Sequence, residues 1–293
     1  MNIKTLLPVG GLALMAGVTP LSAALTTYFD HDFQNGTNGP LSGAGALGTP
    51  AVGTIAASGG HVGENVYTSG NNGSNNAITT VNGSFNDTGT PAGNFLTTTM
   101  SSAIDLSAGA VSVDFSLGIF GTNNANEFKL VHVIGYSSSN TEVFQITMRA
   151  GSGNGSRAVF ARQTGEDDTE FAAGSFSSIE GTRILNGIDD SIISTDTTMA
   201  PDDLVDVSLT LNGSTWDASA ASGSGDTPAT GLAIDGGATD LSYIQFFTSH
   251  NSSVNGQNKG VWVDNILVTQ VPEPSSAALF GLGGIALILR RKK

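Results

Sequence analysis

The sequence predicts an all-β protein: a two-sheet antiparallel jelly-roll sandwich, flanked by an N-terminal signal peptide and a short C-terminal hydrophobic helix. Three observations predict it. Apolar residues alternate with polar ones along several runs, no stretch repeats with a helical period, and the chain holds 39 glycines but no cysteine. A period of two with one wet face marks an antiparallel strand half covered by a core. Many strands and few helices leave sheet-on-sheet packing as the way to bury those apolar faces.

The first element is MNIKTLLPVGGLALMAGVTPLSAAL. One cation, Lys4, precedes an apolar region from Leu6 to Val18, and Ser22-Ala23-Ala24 supplies small residues before a cut after Ala24. This is the layout of a secretory signal peptide spanning residues 1–24. Residues 25–270 then form one domain, long enough for a single large sandwich. Its first third, from Gln34 to Asn94, is rich in Gly, Ser, Thr and Asn and reads as long loops over one face. Short candidate strands interrupt it at Glu64–Tyr67 and Ala77–Val81.

Alternation is clearest in GAVSVDFSLGIF, where Val111, Val113, Phe115, Leu117 and Ile119 share one side. It recurs in DLVDVSLTLNG through Val205, Val207, Leu209 and Leu211. EFKLVHVIGY, EVFQITM, LSYIQFFT and VWVDNILVT are nearly continuous apolar runs and read as strands covered on both faces. Asn154-Gly155 and Asn212-Gly213 supply the positive φ angles of type I′ turns, so each predicts a hairpin. Thr197–Pro201 and Ala218–Thr230 read as loops.

The last element is residues 271–293, VPEPSSAALFGLGGIALILRRKK. Its apolar run from Ala277 to Leu289 is short against the roughly 17–25 residues of a spanning helix. Pro272 and Pro274 prevent a helix from extending upstream. Arg290, Arg291, Lys292 and Lys293 would hold its end on the cytoplasmic side. Physics alone leaves two readings, a weak tail anchor and a processing signal.

Charge narrows the partners. Lys4 and the four terminal cations are five of the eleven bases, and Glu273 is one of 25 acids. The domain between therefore carries six bases and 24 acids, a net charge of −18. Such a surface repels nucleic acid and anionic lipid. Without cysteine, neither disulfides nor thiolate chemistry is available outside the cell.

The sequence offers little to catalysis. It lacks His-Glu-x-x-His, Gly-x-Ser-x-Gly and a Gly-Lys-Ser/Thr phosphate loop. Glu166-Asp167-Asp168-Thr169-Glu170 reads as an exposed acidic turn, not as paired glycosidase carboxylates. No two of His31, His61, His132 and His250 have metal-ligand spacing. His132 reads as a hydrogen-bonded core residue, the other three as solvated. The protein is expected not to be an enzyme.

Two binding chemistries remain open. Asp32 and Asp264 would meet if the first and last strands lie together, either as a structural calcium site or as two solvated or capping aspartates. Trp216, just after a hairpin turn, is either an exposed platform for a sugar ring or a packing residue. Trp262, within a strand, reads as core.

Pro272-Glu273-Pro274, the short apolar helix and the basic end resemble the PEP-CTERM sorting tail of Gram-negative bacteria. That resemblance implies removal of the tail at or near Pro-Glu-Pro by the membrane protease exosortase. With signal peptidase acting at Ala24, it implies an exported protein, held transiently in the inner membrane and then released to the cell surface or extracellular matrix. Tyr28-Phe29-Asp30-His31-Asp32-Phe33, the STW hairpin and Val263-Asp264-Asn265-Ile266 resemble concanavalin/laminin-G-type sandwiches. This second resemblance implies adjacent first and last strands. Three readings of such a sandwich follow in order: a non-catalytic surface protein, a carbohydrate-binding module for exopolysaccharide or environmental glycan, and a glycan-processing enzyme.

Overall fold

The computed structural model describes residues 24–33, 49–58, 67–69, 77–81, 95–120, 129–150, 158–162, 181–186, 193–194, 204–221, 227–234, 236–250 and 260–272. The predicted signal peptide up to Ala23, the tail from Glu273, the Asn154-Gly155 turn, Thr197–Pro201 and His61 lie outside them. Among the described residues every regular element is a strand. In chain order these are β1 (Thr26–His31), β2 (Thr54–Ser58), β3 (Tyr67–Ser69), β4 (Ala77–Val81), β5 (Phe95–Asp105), β6 (Gly109–Phe120), β7 (Lys129–Tyr136) and β8 (Glu142–Ala150). They continue with β9 (Ala158–Arg162), β10 (Thr182–Asn186), β11 (Ile193–Ser194), β12 (Val205–Asn212), β13 (Thr215–Ala221), β14 (Ala229–Ala233), β15 (Asp240–His250) and β16 (Gly260–Pro272). Leu25–Pro272 forms one compact unit.

Two sheets result. Sheet A runs β14-β13-β12-β6-β16-β4-β3, with β1 beside β16 and the short β11 parallel to β6. Sheet B runs β10-β9-β8-β7-β15-β5-β2. The alternating runs do what their period requires: Val111, Val113, Phe115 and Leu117 of β6 and Val205, Val207, Leu209 and Leu211 of β12 are buried on one side. Phe115 meets Phe246 of β15 edge to face, ring centroids 5.6 Å apart, which joins the two sheets across the core.

β1 and β16 pair antiparallel, with Thr26 opposite Gln270 and His31 opposite Ile266. The first and last strands are therefore neighbours, as the sandwich resemblance implies.

Three expectations shift. Asn212 pairs with Thr215, so the tight loop is Gly213-Ser214 and not Asn212-Gly213. Gly213 has φ 62 while Ser214 has no positive φ, the pattern of a type II′ turn. Ala218–Thr230 is not one loop, because β13 runs to Ala221 and β14 starts at Ala229. Ala218 and Ala220 are buried against β12 partners, and side chains that small leave a faint apolar pattern. His31 is not solvated: it is buried, its ring 4.1 Å from Phe33.

Gly53 ties β1 to the start of β2, beside the bridge between Asp30 and Val52. Its φ is +83, and a Cβ there would lie 2.6 Å from Phe29 Cδ2 and 2.7 Å from the Thr99 carbonyl oxygen. Positive φ and a backbone clash add. Gly53→Ala is expected to destabilise the domain by roughly 2–3 kcal/mol. Chemical denaturation checks this, with a change under 1 kcal/mol counting against it.

Candidate functional site

Sheet A places the predicted pair, Asp32 and Asp264, near the end of the β1–β16 pairing. β16 changes partner along its length, pairing with β4 from Gly260 to Val263 and with β1 from Ile266 to Gln270. Asp264 and Asn265 fall in that changeover, where a register shift against β6 and a φ of 52 at Asn265 mark a bulge. Asp264 is 3% exposed and its Oδ1 accepts the Asn265 backbone N–H at 2.8 Å. Asp32, just past the end of β1, is exposed. Burial pushes the Asp264 carboxyl up to about 7, the Asn265 N–H pulls it down, and the Asp32 charge adds to the rise.

Sheet A's outer surface carries further acid–hydroxyl pairs. Ser208 and Ser112 donate to the two oxygens of Asp114 at 2.6 and 2.8 Å, and Ser116 donates to Asp206 at 2.7 Å. Among the described residues, no group of three or more acidic, histidine or cysteine side chains is placed to hold a metal. A cation at Asp32 and Asp264 would therefore take most of its six to eight oxygens from backbone carbonyls, Asn265 or water.

Trp216 does not stand on the surface. Its side chain is fully buried in the core, 6.1 Å from Phe144 across the sheets, so it is no platform for a sugar. Residues along β13 alternate, and the turn places Asp217 outward, where it accepts the Gly231 N–H at 2.7 Å. Tryptophan therefore takes the inward position. Trp262 lies in β16, its side chain outside the description.

The face of sheet B turned away from the core holds what the sequence missed. Strand register lines residues up in rows across it. One row is Thr54, Thr99, Tyr243, Tyr136 and Glu142. The next is Ala56, Thr97, Gln245, Ile134, Gln145 and Arg162. A third places His132, Thr147, Phe160 and Arg183 side by side.

The inner part of this face is a buried polar layer. Gln145, Thr147, His132 and Arg162 are all at most 4% exposed. His132 Nδ1 lies 3.2 Å from Thr147 Oγ1. With its amide turned to suit its neighbours, Gln145 donates to Glu142 at 3.0 Å and accepts from Arg162 at 3.2 Å, closer than its alternative partners Thr147 and His132. His132 is thus buried and hydrogen-bonded as expected, but on the side of β7 opposite the core residues Val131 and Val133.

Tyr136 and Tyr243 are half buried, not covered. Their rings stack at 5.0 Å with 20° between planes, and the Tyr243 hydroxyl donates to Asn140 at 2.9 Å. Burial pushes the Tyr243 phenol up, so it stays protonated and a donor at neutral pH. Gln245 donates to Thr97 at 3.4 Å in the adjoining row. Rings with hydroxyl, amide and carboxylate groups beside them are the parts that grip a saccharide.

No curated protein matches the chain in sequence. Among solved structures, the carbohydrate recognition domain of Emp47p aligns over 83% of this chain and 95% of its own, with 11% identity and a TM-score of 0.46. The lectin UEA-II, solved with galactose, aligns over 83% and 99%, with 9% identity and a TM-score of 0.44. Alginate lyase A1-II′, of polysaccharide lyase family 7, aligns over 84% and 95%, with 11% identity and a TM-score of 0.41. Residues 270–293 match the PEP-CTERM protein-sorting motif, so this chain carries the sorting tail of an exported protein that is held at the membrane before processing.

Proposed function

We propose that this is an exosortase-processed surface or matrix protein whose sandwich is a non-catalytic saccharide-binding module. The observation that carries the binding reading is the row on sheet B that sets the stacked Tyr136 and Tyr243 rings beside Glu142 and Thr99. A sugar lying on that row meets aromatic surface and planar hydrogen-bonding groups together. The buried layer of Gln145, His132, Thr147 and Arg162 alongside holds the row's strands in register. The non-catalytic part rests on the sequence, which offers no nucleophile or metal motif.

Retention of the Leu25–Pro272 domain on a panel of soluble and insoluble polysaccharides tests the reading. Retention on at least one glycan is expected, weakened roughly three- to tenfold by Tyr243→Ala, as befits loss of one stacking contact. No retention on any glycan would leave a surface scaffold without a saccharide ligand.

A calcium ion between Asp32 and Asp264 is the proposed stabiliser of the domain. Support comes from the Asp32 charge felt at the buried Asp264 carboxyl, beside the strand pairing of β1 with β16, in a protein without disulfides. Hard oxygen donors of this kind suit calcium.

A further inference from the structure

The sorting motif begins inside the folded domain. β16 stays in register with β6 through Val271 opposite Ala110 and Pro272 opposite Gly109. Pro272 is also the first residue of Pro272-Glu273-Pro274. No spacer separates the last strand from the motif.

The strand end is also fastened. Gln270 is 3% exposed, and its Nε2 donates to the carbonyl oxygens of Asp105 at 2.7 Å and Gly109 at 3.1 Å. Its Oε1 accepts the Tyr28 hydroxyl at 3.2 Å. Asp105 in turn fixes the β5–β6 turn, taking the Ser107 N–H at 2.8 Å and hydroxyl at 2.6 Å. One amide therefore clamps β16 to β1 and to that turn, at the first residue of the matched segment and two residues before Pro272-Glu273-Pro274. Beyond it, Val271 is 51% exposed and Pro272 contributes no N–H to the ladder.

A protease takes its substrate as extended chain free of other partners, and a paired strand end becomes available only when it opens locally. We propose that the fold controls removal of its own sorting tail: the end of β16 must leave β6 and β1 before exosortase can cut, and Gln270 is the positioning residue that sets how often it does. Cleavage adds water across one backbone amide, leaving a carboxylate on the domain and an amine on the released tail. The control lies wholly in access to that bond. Tail release is thereby tied to the local stability of the last strand. The inference rests on processing by exosortase and is independent of saccharide binding.

The test is a pulse-chase of the full chain in an exporting host with exosortase, reading tail release by mass. Insertion of a flexible Gly/Ser spacer of about ten residues between Val271 and Pro272 is expected to speed release several-fold. Gln270→Ala is expected to speed it also, and to add nothing once the spacer is present. A purely structural role for Gln270 predicts a lower melting temperature without that non-additivity. Equal release rates for wild type and spacer variant overturn the proposal while leaving processing intact. Absence of release from every variant, wild type included, removes the processing reading and the proposal with it.

Discussion

Trp216→Ala is expected to destabilise the domain by about 3–5 kcal/mol, the cost of emptying a large buried aromatic site. For a domain of this length that lowers the melting temperature by roughly 10–15 °C. Trp216 is fully buried beside Phe144, on the opposite sheet. Its Nε1 finds no hydrogen-bond partner among the described residues. An orphaned buried donor costs about 1–3 kcal/mol, so Trp216→Phe removes that penalty while losing some volume. The two effects oppose each other, and Phe is expected within about 1.5 kcal/mol of wild type. Glycan retention should survive Trp216→Phe and fall with Tyr243→Ala. Loss of retention in Trp216→Phe at unchanged stability would return the tryptophan to the binding site.

Asp264 sets the second large effect. Unfolded, its carboxyl ionises near 3.8, whereas in the folded domain burial holds it protonated up to about 7. Between those values the folded state binds a proton that the unfolded state has lost, so stability falls as pH rises through the window and levels off above it. The full difference is on the order of 4 kcal/mol. Asp264→Asn keeps an acceptor for the Asn265 N–H and carries no charge. The variant is expected to match wild type near pH 4 and to melt about 10 °C higher at pH 8 without metal.

Calcium separates the two readings of the pair. A bound cation favours the ionised carboxylate and cancels the penalty, stabilising wild type at pH 8 by mass action. It should leave Asp264→Asn unmoved. Wild type that gains nothing from calcium while still losing stability between pH 4 and 7 would make Asp32 and Asp264 a repelling pair with no metal.

The legible parts of this protein are those coded by local period or contiguous motif. Val111 to Leu117 and Val205 to Leu211 announce strands with one covered face, and both deliver them. The sorting tail is a short contiguous string and was readable for the same reason. The pairing of the first and last strands was one topological expectation, and β1 lies beside β16.

What tertiary structure alone decided concerns faces and neighbours. The alternation around Trp216 fixes that it lies opposite Asp217, but the packing of sheet B over β13 makes its side the core. Tyr136 and Tyr243 lie more than a hundred residues apart and stack only because β7 and β15 pair in that register. Gln145 and His132 sit on strands whose apolar runs suggested no polar layer, since a continuous run hides which of its faces carries the exceptions. Gln270 stood only as the last residue of the domain, just past the VWVDNILVT run, and is a clamp because the β5–β6 turn comes within reach. A sequence read along the chain reports the period of each strand, whereas register between distant strands chooses which residues share a site.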